Sequence, residues 1–110
     1  MHSVYPSIDG KSVYACDLGT DEVLQFDLSS MEHSVKLHDP RSAKTVPGGG
    51  ARHLAQTLSG KIAYVCNEML SSVTQFSVAA DGVMTRLNTY STVPAGTTGN
   101  STAEIILHPN

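Results

Sequence analysis

The chain has 110 residues, the size of one small domain, with 40% hydrophobic and 15% charged residues and a formal net charge of -3. That balance supplies no basic face for nucleic acid or anionic lipid. No apolar run approaches the roughly 20 residues of a membrane helix, and no basic-then-apolar leader is visible at the N-terminus. The expectation is a cytoplasmic chain with neither nucleic-acid nor membrane partners.

In chain order, a first apolar run leads to an Asp9-Gly10 turn, followed by a second run at 11–17. The second run is apolar on both faces, as in a strand buried between neighbours. After a polar turn the third run alternates, with Leu24, Phe26 and Leu28 on one side and Val23, Gln25 and Asp27 on the other. A more polar run at 34–37 suits an edge facing water.

The connection at 46–51 (VPGGGA) introduces a second copy of this pattern. Residues 57–78 lie without a gap on 7–28, and seven of the 22 aligned positions are identical. These include Tyr14/Tyr64, Cys16/Cys66, Gln25/Gln75 and Phe26/Phe76. Identity at that density marks an internal repeat with a period near 50. Thr74, Phe76 and Val78 repeat the alternation of the third run, and 84–90 forms the polar fourth run. A second long connection, 93–101, leads to residues 103–110 (AEIILHPN), which align with 52–59 and start a third copy.

Helical periodicity is weak, and most glycines and prolines fall between the runs. Four strands per unit and a polar outer strand describe β-propeller blades. The fold class is therefore all-β, a propeller fragment of about two four-stranded antiparallel blades (1–50 and 51–101) plus the first strand of a third (102–110). Blades bury their faces against neighbours around a ring, so the chain reads as an internal piece of a longer protein whose remaining blades are its partners. Cys16 and Cys66 occupy strand-like runs with no CxxC, which points to two buried thiols in a reducing cytosol rather than a disulfide or zinc site.

The hairpins place the chemistry. With Ser59-Gly60 as a two-residue turn, antiparallel partners sum to 119. Arg52 then faces Asn67, His53 faces Cys66, and Glu68 lies beside Ala51 and diagonally close to Arg52. The same rule around Asp9-Gly10 sets His2 opposite Asp17. Blades related by rotation bring equivalent positions to one mouth of the channel, so His2, Asp17, Arg52, His53, Asn67 and Glu68 are the expected lining. His2, Arg52 and Glu68 are the catalytic candidates, and Asp17, His53 and Asn67 the substrate-binding ones.

Such a set suits chemistry on a small anionic lactone or carboxylate. Glu68 or His2 can take a proton from water, and the planar fork of Arg52 can hold an oxyanion, carboxylate or phosphate. The Gly48-Gly49-Gly50 loop can present N–H groups to an anion. Plainer roles stand beside these: an Arg52–Glu68 structural ion pair, a packed His53, and an Asp17 carboxylate that caps its own turn. Asp17, Asn67 and Glu68 also offer oxygen atoms to Ca²⁺, but their spacing defines no site, so no metal or cofactor is expected.

The motifs HSVYPSIDGKSVYACDLGTDEVLQF, PGGGARHLAQTLSGKIAYVCNE and STAEIILHPN, in that order, resemble the seven-bladed propeller lactonase family. That family includes the bacterial-type 6-phosphogluconolactonase and the fungal 3-carboxy-cis,cis-muconate cyclase. The resemblance implies a ring of seven four-stranded blades, of which this chain matches a central portion. It also implies a site in which His2 matches the histidine of the HSV motif, Arg52 the arginine of RH and Glu68 the glutamate of NE. A second arginine, in the strand after AEIILHPN, has no counterpart here, so the piece alone is expected to be inactive. The leading expectation is a sugar-lactone hydrolase of the pentose phosphate route. A lactonizing cycloisomerase and a non-catalytic binding platform are the alternatives.

Overall fold

A computed structural model describes residues 1–30 and 35–109. His33 and Ser34, at the start of the expected fourth run, lie outside them, as does Asn110.

Eight strands form two antiparallel four-stranded sheets in simple up-and-down order. The first contains β1 (Ser3–Pro6), β2 (Ser12–Asp17), β3 (Glu22–Asp27) and β4 (Lys36–Lys44). The second contains β5 (Ala51–Gln56), β6 (Ile62–Asn67), β7 (Ser72–Val78) and β8 (Met84–Ser91). The two turns between first and second strands carry Gly10 and Gly60 at φ 73°, a left-handed conformation that only glycine adopts without steric cost. Thus the residues shared by the two repeats include the ones that let each hairpin close.

β4 runs well past the expected 34–37. It continues through Pro40, although a proline inside a run usually demotes it as a strand. Here the strand is an edge, the ladder shifts register between Leu24 and Phe26, and Gln25 Nε2 donates to the Pro40 carbonyl at 3.1 Å. A side chain thus serves a backbone group at the interruption. Residues 101–109, expected to open a third blade, form no strand and join neither sheet.

The sheets pack face to face and bury one shared core. The first contributes Tyr14, Cys16 and Val23, and the second Ala51, Leu54, Ala63, Val65, Phe76 and Met84. Tyr14, Cys16, Val23, Ala63, Val65 and Phe76 are fully buried, and truncating a buried Phe to Ala costs roughly 3–5 kcal/mol. Opposite faces of the two copies meet. Val23 and Gln25 are buried in β3, whereas Thr74 and Phe76 are buried in β7. Leu24 and Phe26 stay half-buried because no sheet covers their side.

Polar bonds cross this apolar seam at fixed places. Tyr14 Oη donates to the Gly82 carbonyl at 2.6 Å, and Met84 N–H donates to Gln25 Oε1 at 2.6 Å. Arg86 Nη1 donates to the Thr45 carbonyl at 2.7 Å. Burial raises the Tyr14 phenol above its ordinary value, despite a bond from Ser12 that acts the other way. It therefore stays protonated and able to donate.

Tyr14→Phe should leave the Gly82 carbonyl unsatisfied in the seam, lowering unfolding free energy by about 1–3 kcal/mol in denaturant titration. Glu22 supplies a pH prediction. Bonds from Lys44 first and Ser42 second, with Thr20, hold its carboxyl below the usual glutamate range against the opposing effect of burial. Its contribution is complete above the unfolded value of about 4.3 and is lost as pH falls through the lower folded value. The Tm of Glu22→Gln should consequently change less than that of the parent between about pH 5 and pH 3.

Candidate active site

The inner strands β1 and β5 come together at one end, and a bulge in β5 governs what gathers there. His53 pairs with Cys66, Leu54 with Val65, Ala55 with Tyr64 and Gln56 with Ala63, all as the turn rule requires. Ala51, however, pairs with Asn67, and the register shifts between Ala51 and His53. Arg52 is the extra residue of a β-bulge and does not face Asn67 as expected. A bulge leaves its extra residue unpaired and re-aims its side chain. His2 occupies the matching place in the first copy. Its N–H bonds at 2.8 Å to the carbonyl of Cys16, the residue Ser3 already pairs with, rather than to Asp17.

Re-aimed in this way, Arg52 meets Glu68 with Nε 3.2 Å from Oε2. The contact is ionic without hydrogen-bond alignment. Nη1 also donates to the Ala103 carbonyl. Both side chains are partly exposed, at 25% and 32%, although Nε itself is buried. Glu68 is fixed from its backbone, where its N–H donates to the Gly50 carbonyl at 2.9 Å.

His53 adjoins this pair in sequence. Its Nδ1 is 2.7 Å from Tyr5 Oη and 3.1 Å from Glu104 Oε1. Its ring stands edge-to-face with that of His2, with centroids 5.1 Å apart at 60°. The expected catalytic and binding residues at this end thus meet as two pairs, Arg52 with Glu68 and His2 with His53, joined by the chain at 52–53.

Two expected members stand apart from these pairs. Asn67 is wholly buried, and its Nδ2 donates to Ser72 Oγ at 3.0 Å and Thr74 Oγ1 at 2.9 Å. It shares strand parity with the core residues Ala63 and Val65, which draws it inward, so it braces β6 against β7 instead of binding substrate. Asp17 caps its own turn through Gly19 N–H at 3.1 Å and pairs with the Met1 amino group at 3.5 Å. Desolvation raises its pKa, but the Gly19 bond and the amino group together outweigh that, and the net shift is downward. Among the described residues, Asp17 forms its hydrogen bonds and ion pair with Gly19 and the Met1 amino group, not with Arg52, His53 or Glu68.

Tyr5 and Glu104 are absent from the expected lining. Glu104 was legible, because the alignment that places Ala103 on Arg52 places Glu104 on His53. Tyr5 carried no signal beyond its run.

The glycine loop also holds its anion internally. Gly48 N–H and Gly50 N–H donate to the two oxygens of the Asp21 carboxylate at 2.7 and 2.8 Å. Asp21 itself sits at φ 57°, a conformation Asp tolerates better than most residues. These N–H groups are thus committed to a carboxylate of the first sheet rather than offered to a ligand. Among the described residues, no three His, Cys, Asp or Glu side chains converge as a metal-holding group.

Concave space lies elsewhere. A cleft of about 360 Å³ opens at the opposite end of the sheets, near Asp9, Gln56, Gly60 and Lys61.

The family described as lactonase, 7-bladed beta-propeller, matches residues 1–110. The chain belongs to that family. It is 39% identical over 87 residues to the uncharacterized protein YwcC of Lactococcus lactis, covering 78% of this chain and 24% of that protein. It is 33% identical over 100 residues to a 6-phosphogluconolactonase of Pectobacterium atrosepticum, covering 89% of this chain and 30% of the relative. The periplasmic gluconolactonase PpgL of Pseudomonas aeruginosa superposes with a TM-score of 0.81 at 35% identity, over 90% of this chain and 28% of that one. The chain thus spans about a quarter to a third of the length of these relatives.

If Asp21 clamps the glycine loop, Asp21→Ala should release two charge-assisted bonds and lower stability by about 2–3 kcal/mol. Amide exchange at Gly48 and Gly50 should accelerate, while the amides of β7 keep their protection.

Proposed function

We propose that the propeller to which this chain contributes is a sugar-lactone hydrolase similar to 6-phosphogluconolactonase, acting on 6-phosphoglucono-lactone in the pentose phosphate route. The observation that carries this reading is the partly exposed Arg52–Glu68 pair beside two histidines, at the meeting of adjacent inner strands. Hydrolysis of a lactone needs a donor where negative charge develops on the carbonyl oxygen and a base for the attacking water. Arg52 supplies the donor: Glu68 restrains its Nε side and the Ala103 carbonyl takes Nη1, leaving Nη2 for the oxyanion. The base is drawn from His2, His53 and Glu68. Relatives named 6-phosphogluconolactonase support the substrate class.

Charge limits what this arc does alone. Arg52 is paired with Glu68, and Glu104 stands against His53, so the two sheets bring no surplus of positive charge to a phosphate. The counter-charge for an anionic substrate must come from the remaining blades. The repeat also supports those blades as partners. Tyr64 and Gln75 are the second-copy counterparts of Tyr14 and Gln25, whose polar ends tie one sheet to the next.

The test is hydrolysis of 6-phosphoglucono-lactone by a full-length protein carrying residues 1–110. Arg52→Lys keeps the charge but loses the planar fork, and should lower kcat by about 10²–10³-fold. Turnover of a carboxymuconate in place of the lactone would make the protein a cycloisomerase. Full activity in both Arg52→Lys and Glu68→Gln would reduce the pair to a structural ion pair.

A further inference from the structure

His53 is better built for proton transfer than either His2 or Glu68. Glu68 has Oε2 engaged with Arg52 at 3.2 Å, so taking up a proton would break the ion pair that restrains the guanidinium. His2 is exposed, and no hydrogen bond from another described residue fixes its ring. His53, in contrast, is gripped at one nitrogen only. Glu104 Oε1 lies 3.1 Å from Nδ1, and Tyr5 Oη lies 2.7 Å from the same atom. The Glu104 oxygen is itself held, because it accepts the Ile105 N–H at 2.9 Å.

An ionised carboxylate can only accept, and a bare ring nitrogen can only accept, so the two repel unless a proton lies between them. The carboxylate therefore favours hydrogen on Nδ1; that hydrogen goes to the phenolic oxygen of Tyr5, while Glu104 stands beside the bond as a charge without hydrogen-bond alignment. The lone pair is left on Nε2, which no other described group engages, beside the exposed ring of His2. An imidazole oriented at Nδ1 by a carboxylate, with a free Nε2, is the arrangement of a general base.

We propose that His53 is the catalytic base of this site, with Glu104 and Tyr5 as positioning residues that fix its tautomer and ring plane. The proposal rests on the lactonase reading for its substrate. A water at Nε2 attacks the lactone carbonyl carbon and passes its proton to Nε2, while the carbonyl electron pair moves onto the oxygen facing Arg52. As the tetrahedral species collapses, the carbonyl re-forms and the ring C–O bond breaks. The proton on Nε2 then goes to the departing ring oxygen. One water is consumed, one hydroxy acid is formed, and His53 returns to its starting state. Glu104 is a residue of the third copy, so the base would be completed by a segment outside both sheets.

Two measurements on the full-length protein carrying these residues test this. Long-range ¹H–¹⁵N correlation of histidine-labelled protein, with His53 assigned by its loss in His53→Gln, reads the tautomer without reference to activity. The expected wild-type state at neutral pH is Nδ1–H, shifting toward Nε2–H in Glu104→Gln and restored in Glu104→Asp. In lactone hydrolysis, His53→Gln should lower kcat by at least about 100-fold with little change in KM. Glu104→Gln should lower kcat less, with recovery in Glu104→Asp. An Nε2–H wild type, or a His53→Gln enzyme of normal kcat, overturns the proposal while leaving the lactonase reading intact. An Nδ1–H wild type with no lactone turnover overturns the base role together with that reading.

Discussion

The structure depends on one apolar seam, in which the inner face of the first sheet meets the opposite face of the second. Each sheet alone has two faces and cannot shield both from water. Joining them removes Tyr14, Cys16, Val23, Val65 and Phe76 from solvent entirely. Apolar contact by itself tolerates sliding, since it has no direction. The buried bonds from Tyr14 to Gly82 and from Met84 to Gln25 supply the direction, because a shift of either sheet would strand a polar group in the core. With that seam fixed, β1 must lie beside β5, and His2 and Tyr5 must lie beside His53.

A second tie operates at the same end. The Asp21 carboxylate reaches from the first sheet to two amides of the loop entering the second. Gly49 lies within this loop, where an added Cβ would stand 2.8 Å from the Val46 side chain and 2.9 Å from its carbonyl. Gly49 is thus required by close packing, and Gly48 and Gly50 by φ values of 75° and 73°. In the second copy Ser71 stands where Asp21 does, also at positive φ, and its carbonyl receives the same pair of bonds from Thr92 that the Asp21 carbonyl receives from Thr45. Its hydroxyl brings no charge, so the two connections are held by unequal means.

The sequence was legible wherever a single geometric rule governed. Two glycine turns and strict alternation predict the ladders of both hairpins, because antiparallel pairing has one free parameter and the turn sets it. Legibility failed where a local insertion broke the rule: nothing in ARH announces that Arg52 is an added residue. It failed at Asn67 for another reason. Polarity drew the residue toward the site, while its parity with Ala63 and Val65 already placed it in the core. Buried, it trades solvent for the hydroxyls of Ser72 and Thr74. The length of β4 was hidden by Pro40, whose disruption is local and offset by the Gln25 side chain.

The bulge at Arg52 has a consequence for how such rings diversify. Some residues inside the ladder recur between the copies, Tyr with Tyr, Cys with Cys and Gln with Gln, each with a cross-strand neighbour. The equivalent positions His2, Arg52 and Ala103 share nothing, one imidazole, one guanidinium and one methyl group. A residue without a cross-strand partner is released from the vocabulary its strand enforces. Each unit can therefore exchange its reactive group independently of the others, and the scaffold beneath need not register the change.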